Sequence, residues 1–204
     1  MASYQVDRGV EAYPPFPQEH HGIVWRQLGP RDFHALSALF ARMEARDNPP
    51  YRTALAEVEE MLSPASSWWG IAAFATKGIA QGRMVAFAQT RLRFSERIEC
   101  VCQGGVDPDF RRIGLGSSLL EWQIAAARSM LEHNEDTGQR AIVSFVENWQ
   151  DELENALKDR GFHWERTYYD LRAKLDPLPQ RPSLGSYITI EQWSPSWDDE
   201  LRRA

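Results

Sequence analysis

One stretch of the chain combines residues that are suited to binding an anion. The sequence VDPDFRRIGLGSSLLEW, residues 106–122, places two arginines and two glycines between a short apolar run and a long amphipathic one. Glycines between a strand and a helix let the backbone approach a ligand, and the first amides of a helix lack partners within it. The helix start also carries the positive end of the helix dipole. This stretch therefore predicts a diphosphate site, with a tight structural turn as the alternative.

The spacing in this stretch differs from that of two common phosphate-binding loops. No Gly-Lys-Ser/Thr closes it, as a Walker loop requires. The pattern Arg111-x-x-Gly114-x-Gly116 also differs from the G-x-G-x-x-G of dinucleotide-binding folds. The residues alone therefore predict a diphosphate at a helix start without naming the molecule that carries it.

Hydrophobic patterning predicts the elements that position this junction. After it, Leu115, Leu119, Trp122, Ala126 and Met130 recur at helical spacing and form one apolar stripe. Before it, apolar runs predict strands over 22–28, 68–76, 83–94 and 97–106, with helices over 31–47 and 53–62. After the long helix, we expect a strand at 140–146 buried on both faces, a helix ending at Gly161, and extended structure over 162–175.

This order of elements predicts an α+β fold. The strand–helix–strand step around the long helix requires a parallel crossover, whereas the hairpin of 68–76 and 83–94 places antiparallel strands side by side. The sheet should therefore be mixed and mostly antiparallel, twisted and flanked by helices.

Changes in composition divide the chain into four parts. Residues 1–21 are rich in proline and lack periodicity, which predicts an extended arm, and 22–176 should form one domain. Residues 177–187 are typical of a linker. Residues 188–201 can be laid on 23–36 without gaps, so 188–204 is either the start of a second copy of the first elements or an ordinary C-terminal strand and short helix.

Bulk properties narrow the class of protein. A net charge of −6 does not suit a large nucleic-acid footprint, and the chain opens with neither a signal peptide nor an apolar run that spans a bilayer. We therefore expect a cytoplasmic protein without nucleic-acid or membrane partners. Cys100 and Cys102 lie two positions apart on a strand, which suits neither a disulfide nor a zinc site, and the histidines show no metal-ligand spacing.

The junction resembles the acetyl-CoA-binding signature of the GCN5-related N-acetyltransferases, Arg/Gln-x-x-Gly-x-Gly/Ala after the fourth strand. The element order over 22–176 is also similar to that family, and Gly161–Phe162 resembles the end of its closing helix. The resemblance implies the acyl-CoA N-acyltransferase fold, with a sheet splayed between the fourth and fifth strands. It also implies acetyl-CoA as acyl donor and an amine of a small molecule or protein as acceptor, and it leaves a homodimer open.

Carried over to this chain, the resemblance implies three groups of contacts with CoA. The signature loop would cradle the pyrophosphate, the fourth strand would offer backbone groups to the pantetheine arm, and a polar side chain after the fifth strand would add to them. The residues concerned are Arg111, Arg112, Ile113, Gly114, Leu115, Gly116 and Ser117 in the loop, Gln103 and Val106 on the strand, and Asn148 after the fifth strand.

The chain departs from the family pattern at three positions. Arg112 stands where the family often has glycine, and Leu157 stands where a tyrosine often protonates the leaving thiolate. Cys100 occupies the place of a glutamate that serves some members as general base. Glu99, one residue away, would face the other side of a regular strand unless a β-bulge at Gly104–Gly105 turned it back, and on that condition it is a candidate base.

Other polar residues are weaker candidates for the same chemistry. Glu147 follows the fifth strand, where the resemblance places groups near the pantetheine or the acceptor, and Tyr51 lies between the first two helices. Tyr168 and Tyr169 lie near the last predicted strands, where either is more typical of a core or interface.

Two functions fit these observations. The first is an N-acetyltransferase in which a primary amine attacks the thioester of acetyl-CoA directly. The second is a CoA-binding or degenerate domain with a structural or regulatory role, which the missing tyrosine favours. The intact signature favours the enzyme, because a domain that no longer bound CoA would have little need of these arginines and glycines.

Overall fold

The computed structural model describes residues 13–19, 22–63, 67–134, 138–171, 173, 174, 176, 185, 187 and 188. The chain divides into two compact units, Met1–Phe162 and His163–Ala204. The first unit contains every helix and strand that the described residues form.

A five-stranded sheet forms the centre of the first unit. Its strands lie side by side in the order β1-β2-β3-β4-β5, and every neighbouring pair is antiparallel except β4 and β5, which are parallel. The predicted α+β class with a mixed, mostly antiparallel sheet is therefore confirmed. The strands are β1 (Ile23–Gln27), β2 (Trp68–Ala75), β3 (Met84–Phe94), β4 (Ile98–Val106) and β5 (Arg140–Ser144).

Four helices flank this sheet. The long helix α3 connects β4 to β5 as a crossover, and this connection is what makes those two strands parallel. Short 3-10 turns lie at Pro30–Asp32 and Pro108–Phe110. The helices are α1 (Phe33–Asp47), α2 (Leu55–Met61), α3 (Leu115–Glu132) and α4 (Asp151–Lys158).

The two faces of the sheet carry separate apolar clusters. On one face, α1 and α2 pack through Leu36, Leu39 and Val58 against side chains that include Phe87 of β3. On the other face, α3 packs against the sheet, and Cys100 and Cys102 are buried beneath it. The predicted apolar stripe of α3 is confirmed, because all five of its members are buried: Leu115, Leu119, Trp122, Ala126 and Met130.

The parallel strands β4 and β5 diverge part-way along their length. Their pairing runs from Ile98–Arg140 to Cys102–Ser144 and stops there. β4 continues for four more residues, Gln103–Val106, and over this stretch it pairs only with β3. The predicted splay between the fourth and fifth strands is thus present as an opening beside the last four residues of β4.

The structure differs from the sequence prediction in two respects. β5 is only half-buried instead of covered on both faces, because among the described residues it pairs with β4 alone, and the described part of 162–175 forms no strand. The β3–β4 pairing also contains no β-bulge at Gly104–Gly105, the condition on which Glu99 was a candidate base. The β3–β4 register runs unbroken from Phe94–Ile98 to Ala86–Val106, since both glycines fit a regular strand.

Part of the N-terminal arm packs on the first unit. Residues 13–19 form neither helix nor strand, but the ring of Tyr13 lies 5.2 Å from that of Trp69 and 5.5 Å from that of Trp122. The Tyr13 hydroxyl donates a hydrogen bond of 2.7 Å to the carbonyl of Gly70. The rest of the predicted arm, residues 1–12, 20 and 21, and all of the 188–204 segment except Ile188, lie outside the described residues.

We expect Tyr13→Ala to lower the free energy of unfolding by about 2–3 kcal/mol, because it removes a half-buried ring that packs against two tryptophans. Tyr13→Phe should cost only about 1 kcal/mol, the value of the hydrogen bond to Gly70. Urea unfolding measures both, with Glu19→Ala as a control at an exposed position of the arm. If Tyr13→Ala were as stable as the wild type, the arm would not be packed on the domain in solution.

Candidate functional site

The turn between β4 and α3 contains two residues in the left-handed backbone region. The chain leaves β4 at Val106, passes through the 3-10 turn Pro108–Phe110, and reaches Gly114, the residue before α3. Gly114 has φ 89° and Arg112 has φ 65°. Glycine adopts this conformation without a steric penalty, whereas an arginine is strained in it. The bulkier loop expected from Arg112 is therefore accommodated at a cost in backbone energy.

The first turn of α3 presents free amides to solvent. The N–H of Ser118 is the first to bond within the helix, to the carbonyl of Gly114 at 3.1 Å. The amides of Leu115, Gly116 and Ser117 precede that bond and have no partner inside the helix. Because Gly116 and Ser117 are exposed, these amides and the helix dipole form an open site for an anion.

Gly116 leaves space that the protein itself does not use. A Cβ atom built at this position would meet no atom within 4 Å, and the residue is not in the left-handed region. Alanine is favoured over glycine inside helices, so neither packing nor backbone geometry explains the glycine. The free volume beside its amide is available to a ligand.

A buried aspartate fixes the start of this turn. The Asp107 side chain is 1% exposed and accepts hydrogen bonds from Arg42 Nε at 2.6 Å and from the Asp109 amide at 3.1 Å. Arg42 also donates to the carbonyl of Met84 at 2.7 Å. This network joins the end of β4 to α1 and β3. Sequence analysis missed both residues, although an aspartate directly before a proline is a recognisable signal for a turn.

Both arginines of the signature are engaged with carboxylates. Arg111 makes two hydrogen bonds with Asp47, at 2.7 and 2.6 Å, and donates to the carbonyl of Val106. Arg112 forms an ion pair with Glu152 in the first turn of α4. The first pair connects the turn to the end of α1, and the second connects it to the element that follows β5.

Backbone groups of β4 face the opening in an alternating order. The Asp107 amide donates to the carbonyl of Val85 in β3, and the Ile98 amide donates to the carbonyl of Gln139, just before β5. Since neighbouring residues of a strand point their backbone groups to opposite sides, Gln103 and Gly105 face β3, whereas Gly104 and Val106 face the opening. Val106 therefore lies where the sequence predicted a backbone contact, and Gly104 takes the place expected of Gln103.

Gly104 is required by the close approach of β3. A Cβ atom at Gly104 would lie 2.9 Å from the carbonyl oxygen of Phe87, which is backbone and cannot move aside cheaply. Gln123 of α3 further fixes this region by donating to the carbonyls of Gln89 and Gln103, at 3.2 and 2.8 Å. The amide of Gly104 is therefore held in one position beside the opening.

A cleft of about 360 Å³ lies on the sheet face that α1 and α2 cover. It reaches the opening through Gln103, the first residue of β4 beyond the last pair with β5. Side chains of α2, β3 and β4 line it: Glu57, Glu60, Met61, Gln89, Arg91, Leu92, Arg93, Val101 and Gln103.

Glu99 lies on the same face as this cleft and is buried between two arginines. Arg93 donates to one of its oxygens through Nε at 2.8 Å and also through Nη2, and Arg97 Nε donates to the other at 3.0 Å. Burial acts to raise the pKa of Glu99, but the hydrogen bonds from Arg93 and Arg97 outweigh it and lower the pKa. Cys100 faces α3 instead, and burial raises the pKa of its thiol to about 12.

Tyr51 and Glu147 meet beside the opening. The Tyr51 hydroxyl donates to Glu147 Oε1 at 3.0 Å. Glu147 comes three positions after Ser144, the last residue of β5 that pairs with β4. Asn148 is exposed in the next turn, and Tyr168 and Tyr169, 66% and 81% exposed, belong to the second unit.

The end of α4 agrees with the family pattern apart from its missing tyrosine. Gly161 has φ 84°, and the Phe162 amide donates to the carbonyl of Leu157, which ends the helix as the sequence predicted. The Leu157 side chain is buried and offers no proton.

Among the described residues, no helix combines the length and apolar character needed to cross a membrane. The described part of the chain also brings together no three histidines, cysteines or carboxylates that could hold a metal ion.

No protein-family model and no curated protein matches the sequence. Several solved structures do match. A GCN5-related N-acetyltransferase from Sphaerobacter thermophilus has a TM-score of 0.66 and 18% identity, over 92% of this chain and 57% of its own, so the chain spans just over half of that structure. A possible acetyltransferase from Clostridium difficile 630 has a TM-score of 0.53 and 13% identity, over 74% of this chain and 98% of its own.

The ribosomal-protein-alanine N-acetyltransferase from Brucella melitensis biovar Abortus 2308 matches with a TM-score of 0.52 and 15% identity, over 75% of this chain and 100% of its own. At such identities these matches establish a shared fold.

At pH 7 we expect Glu99→Gln to lower the free energy of unfolding by about 1–3 kcal/mol, because Arg93 and Arg97 lose their shared carboxylate; the half-exposed Arg93 keeps the value modest. Because the pKa of Glu99 is lowered by folding, this contribution is complete above the pKa of an unfolded glutamate and disappears as the pH falls through the folded value. Urea unfolding of both proteins should therefore show a difference that shrinks below about pH 4. A difference that stayed constant from pH 3 to pH 8 would contradict this account.

Proposed function

We propose that this chain, which has the acyl-CoA N-acyltransferase fold of the GCN5-related N-acetyltransferases, transfers an acetyl group from acetyl-CoA to a primary amine by direct attack. One observation carries the proposal: the opening beside β4, with backbone groups facing into it, leads directly to free amides at the start of α3. A pantetheine arm with a diphosphate at its end has the shape and charge that this arrangement accepts.

The CoA contacts follow from this arrangement. The diphosphate would lie on the amides of Leu115, Gly116 and Ser117, with the Ser117 hydroxyl as a further donor and the backbone of Ile113 and Gly114 beneath it. The pantetheine arm would pair with the Gly104 carbonyl and the Val106 amide, and the Asn148 side chain would contact the same arm.

The two signature arginines would take different parts in binding. Arg111 is committed to Asp47 and to the carbonyl of Val106, so it positions the turn. Arg112 and Glu152 are both largely exposed, at 75% and 69%. We infer that Arg112 exchanges Glu152 for the diphosphate when CoA binds, because a doubly charged group in the helix cradle attracts the guanidinium more strongly than one exposed carboxylate does.

The reaction would take place where the cleft meets the opening. Glu147 takes a proton from the ammonium group of the acceptor, and the neutral amine then attacks the thioester carbonyl. The Gly104 amide donates a hydrogen bond to the oxyanion that forms. Collapse of the tetrahedral intermediate breaks the carbon–sulfur bond. One of the two protons on the attacking nitrogen passes through water to the thiolate, since Leu157 supplies none, and the amide product keeps the other.

Glu99 and Glu147 are the two candidates for the general base. Glu99 is held in its ionised form by two guanidinium groups, which makes it a poor proton acceptor. Glu147 is half-buried beside the opening and is oriented by the Tyr51 hydroxyl. We therefore assign proton removal to Glu147 and keep Glu99 as the predicted residue against which it is tested.

A CoA-binding domain without acetyl transfer is the second candidate function. The buried Leu157, where a tyrosine often serves as acid in the family, favours it. Release of free thiol from acetyl-CoA in the presence of amines separates the two, because only the enzyme produces it.

We expect Gly116→Ala to keep or slightly raise stability, because alanine is a better helix former and the Cβ meets no atom of the protein. Its methyl group would intrude on the diphosphate and weaken CoA binding about tenfold, the loss of one charge-assisted hydrogen bond. Isothermal calorimetry with CoA measures this. Gly138→Ala, away from the opening and equally free of close contacts, is the matched control and should bind CoA like the wild type. Unchanged affinity of Gly116→Ala would place the diphosphate elsewhere.

We expect Glu147→Gln to lower kcat/KM for the amine about 100-fold, the value of a general base, without changing the affinity for CoA. Tyr51→Phe should cause a smaller loss, because it removes only the hydrogen bond that orients the carboxylate. Steady-state kinetics with saturating acetyl-CoA measures both. If Glu99→Gln lost far more activity than Glu147→Gln while remaining folded, the base would be Glu99.

A further inference from the structure

The cleft beside the opening contains an arginine that forms no ion pair with a carboxylate of the described residues. Arg91 of β3 lines the cleft and is half-buried. The described residues form ion pairs that engage Arg93, Arg97, Arg111 and Arg112, but none that includes Arg91. Burial lowers the pKa of Arg91 and outweighs the attraction of the Glu60 carboxylate, which acts to raise it. A charge in this environment gains most from an anionic ligand.

Arg91 keeps hydrogen-bond donors available for such a ligand. Its Nη2 donates to the carbonyl of Met61, and less closely to that of Glu60 at 3.5 Å, at the C-terminal end of α2. Gln89 Nε2 also donates to the Met61 carbonyl, at 2.7 Å. Nη2 is thus engaged with the end of the helix. Nε and Nη1 point to different sides of the guanidinium group, so either can donate a single charge-assisted hydrogen bond to an anionic group of a ligand.

The acidic residues of the cleft do not cancel this charge. Glu57 is occupied as a cap, accepting a hydrogen bond from the Ala54 amide at 2.6 Å. Glu60 is exposed and forms no ion pair within the described part of the chain. An exposed charge is screened by water and salt, whereas the half-buried Arg91 is screened less. The charge of Arg91 is therefore only partly compensated by Glu60.

The strand register sets the distance between Arg91 and the reacting amine. Arg91 pairs with Val101 and Gln89 with Gln103, so Arg91 lies two residues, about 6.6 Å, from the level of Gln103. The Gly104 amide that faces the thioester comes directly after Gln103. A single small molecule reaches both places if its amine and its anionic group are separated by a few bonds.

We propose that Arg91 binds a carboxylate of the acceptor, and that the acceptor class is therefore amines that carry a carboxylate, as amino acids do. The inference rests on the proposed function, since it names the acceptor of the same reaction. Arg91 then determines the specificity for the acceptor, and the reaction takes place at the other end of the cleft, beside Gly104 and Glu147.

Matched pairs of acid and amide test this proposal. The probes are β-alanine with β-alaninamide and γ-aminobutyrate with its amide, each assayed by thiol release from acetyl-CoA. We expect the wild type to favour the acid about 10- to 100-fold in kcat/KM, the value of one charge-assisted pair. Arg91→Gln should reduce the rate with the acid to that with the amide and leave the amide rate unchanged, and Arg91→Lys should keep part of the preference.

Two controls separate recognition from damage to the fold. Arg128→Gln removes one exposed charge from α3, on the opposite face of the sheet, and should behave like the wild type. Thermal unfolding and CoA calorimetry of the Arg91 variants show whether α2 and the CoA site survive the loss of the contacts to Glu60 and Met61. If Arg91→Gln unfolds, Arg91→Lys carries the comparison.

Calorimetry of γ-aminobutyrate with the CoA-saturated protein separates the role of Arg91 in binding from the acetyltransferase activity. Turnover without preference for the acid, or with preference for the amide or for spermidine, overturns the role of Arg91 and leaves the acetyltransferase intact. Binding of the acid that Arg91→Gln abolishes, without any turnover, supports the role of Arg91 and refutes the acetyltransferase. If the acids neither bind nor react, the role of Arg91 is overturned.

Discussion

The divergence of β4 from β5 is the constraint on which the rest of the site depends. Up to Cys102–Ser144 the two strands satisfy each other's backbone groups. Beyond that pair the backbone of Gly104 and the Val106 amide face an opening, whereas the Val106 carbonyl accepts a hydrogen bond from Arg111. Backbone groups without partners are costly when buried, so an opening of this kind must admit water or a ligand. Because β3 presses against Gly104, these groups cannot turn away, and the strand presents them in a fixed register.

Ionic contacts hold the surroundings of this opening in place. Arg42 and Asp107 anchor the turn after β4 to α1 and β3, and Arg111 ties it to the end of α1. A site that is positioned before its ligand arrives loses less entropy on binding. The Arg112–Glu152 pair is the exposed exception, and it is the contact that a diphosphate would displace at least cost if the proposed site is correct.

Local patterns in the sequence were sufficient for most of the elements and for the turn before α3, but not for features that depend on register. The apolar stripe of α3, the signature turn and the end of α4 at Gly161 are encoded by neighbouring residues and are present in the structure. Neighbouring residues of β4 point their amides to opposite sides, so the residues that face the opening depend on the exact register of the strand. The register places the Gly104 amide, and not that of Gln103, beside the opening. The ion pairs of Glu99 and the absence of one at Arg91 arise from cross-strand and helix contacts, which no spacing along the chain reveals.

The central claim is that CoA occupies the opening and the start of α3, and backbone amide hydrogen exchange by NMR tests it most directly. On addition of CoA, exchange should slow at the amides of Gly104, Val106 and Gly116 and stay unchanged at Gln103 and Gly105, whose groups already face β3. This alternating pattern follows from the strand geometry alone. Protection that spared Gly104 and Val106, or no change at millimolar CoA, would contradict the account.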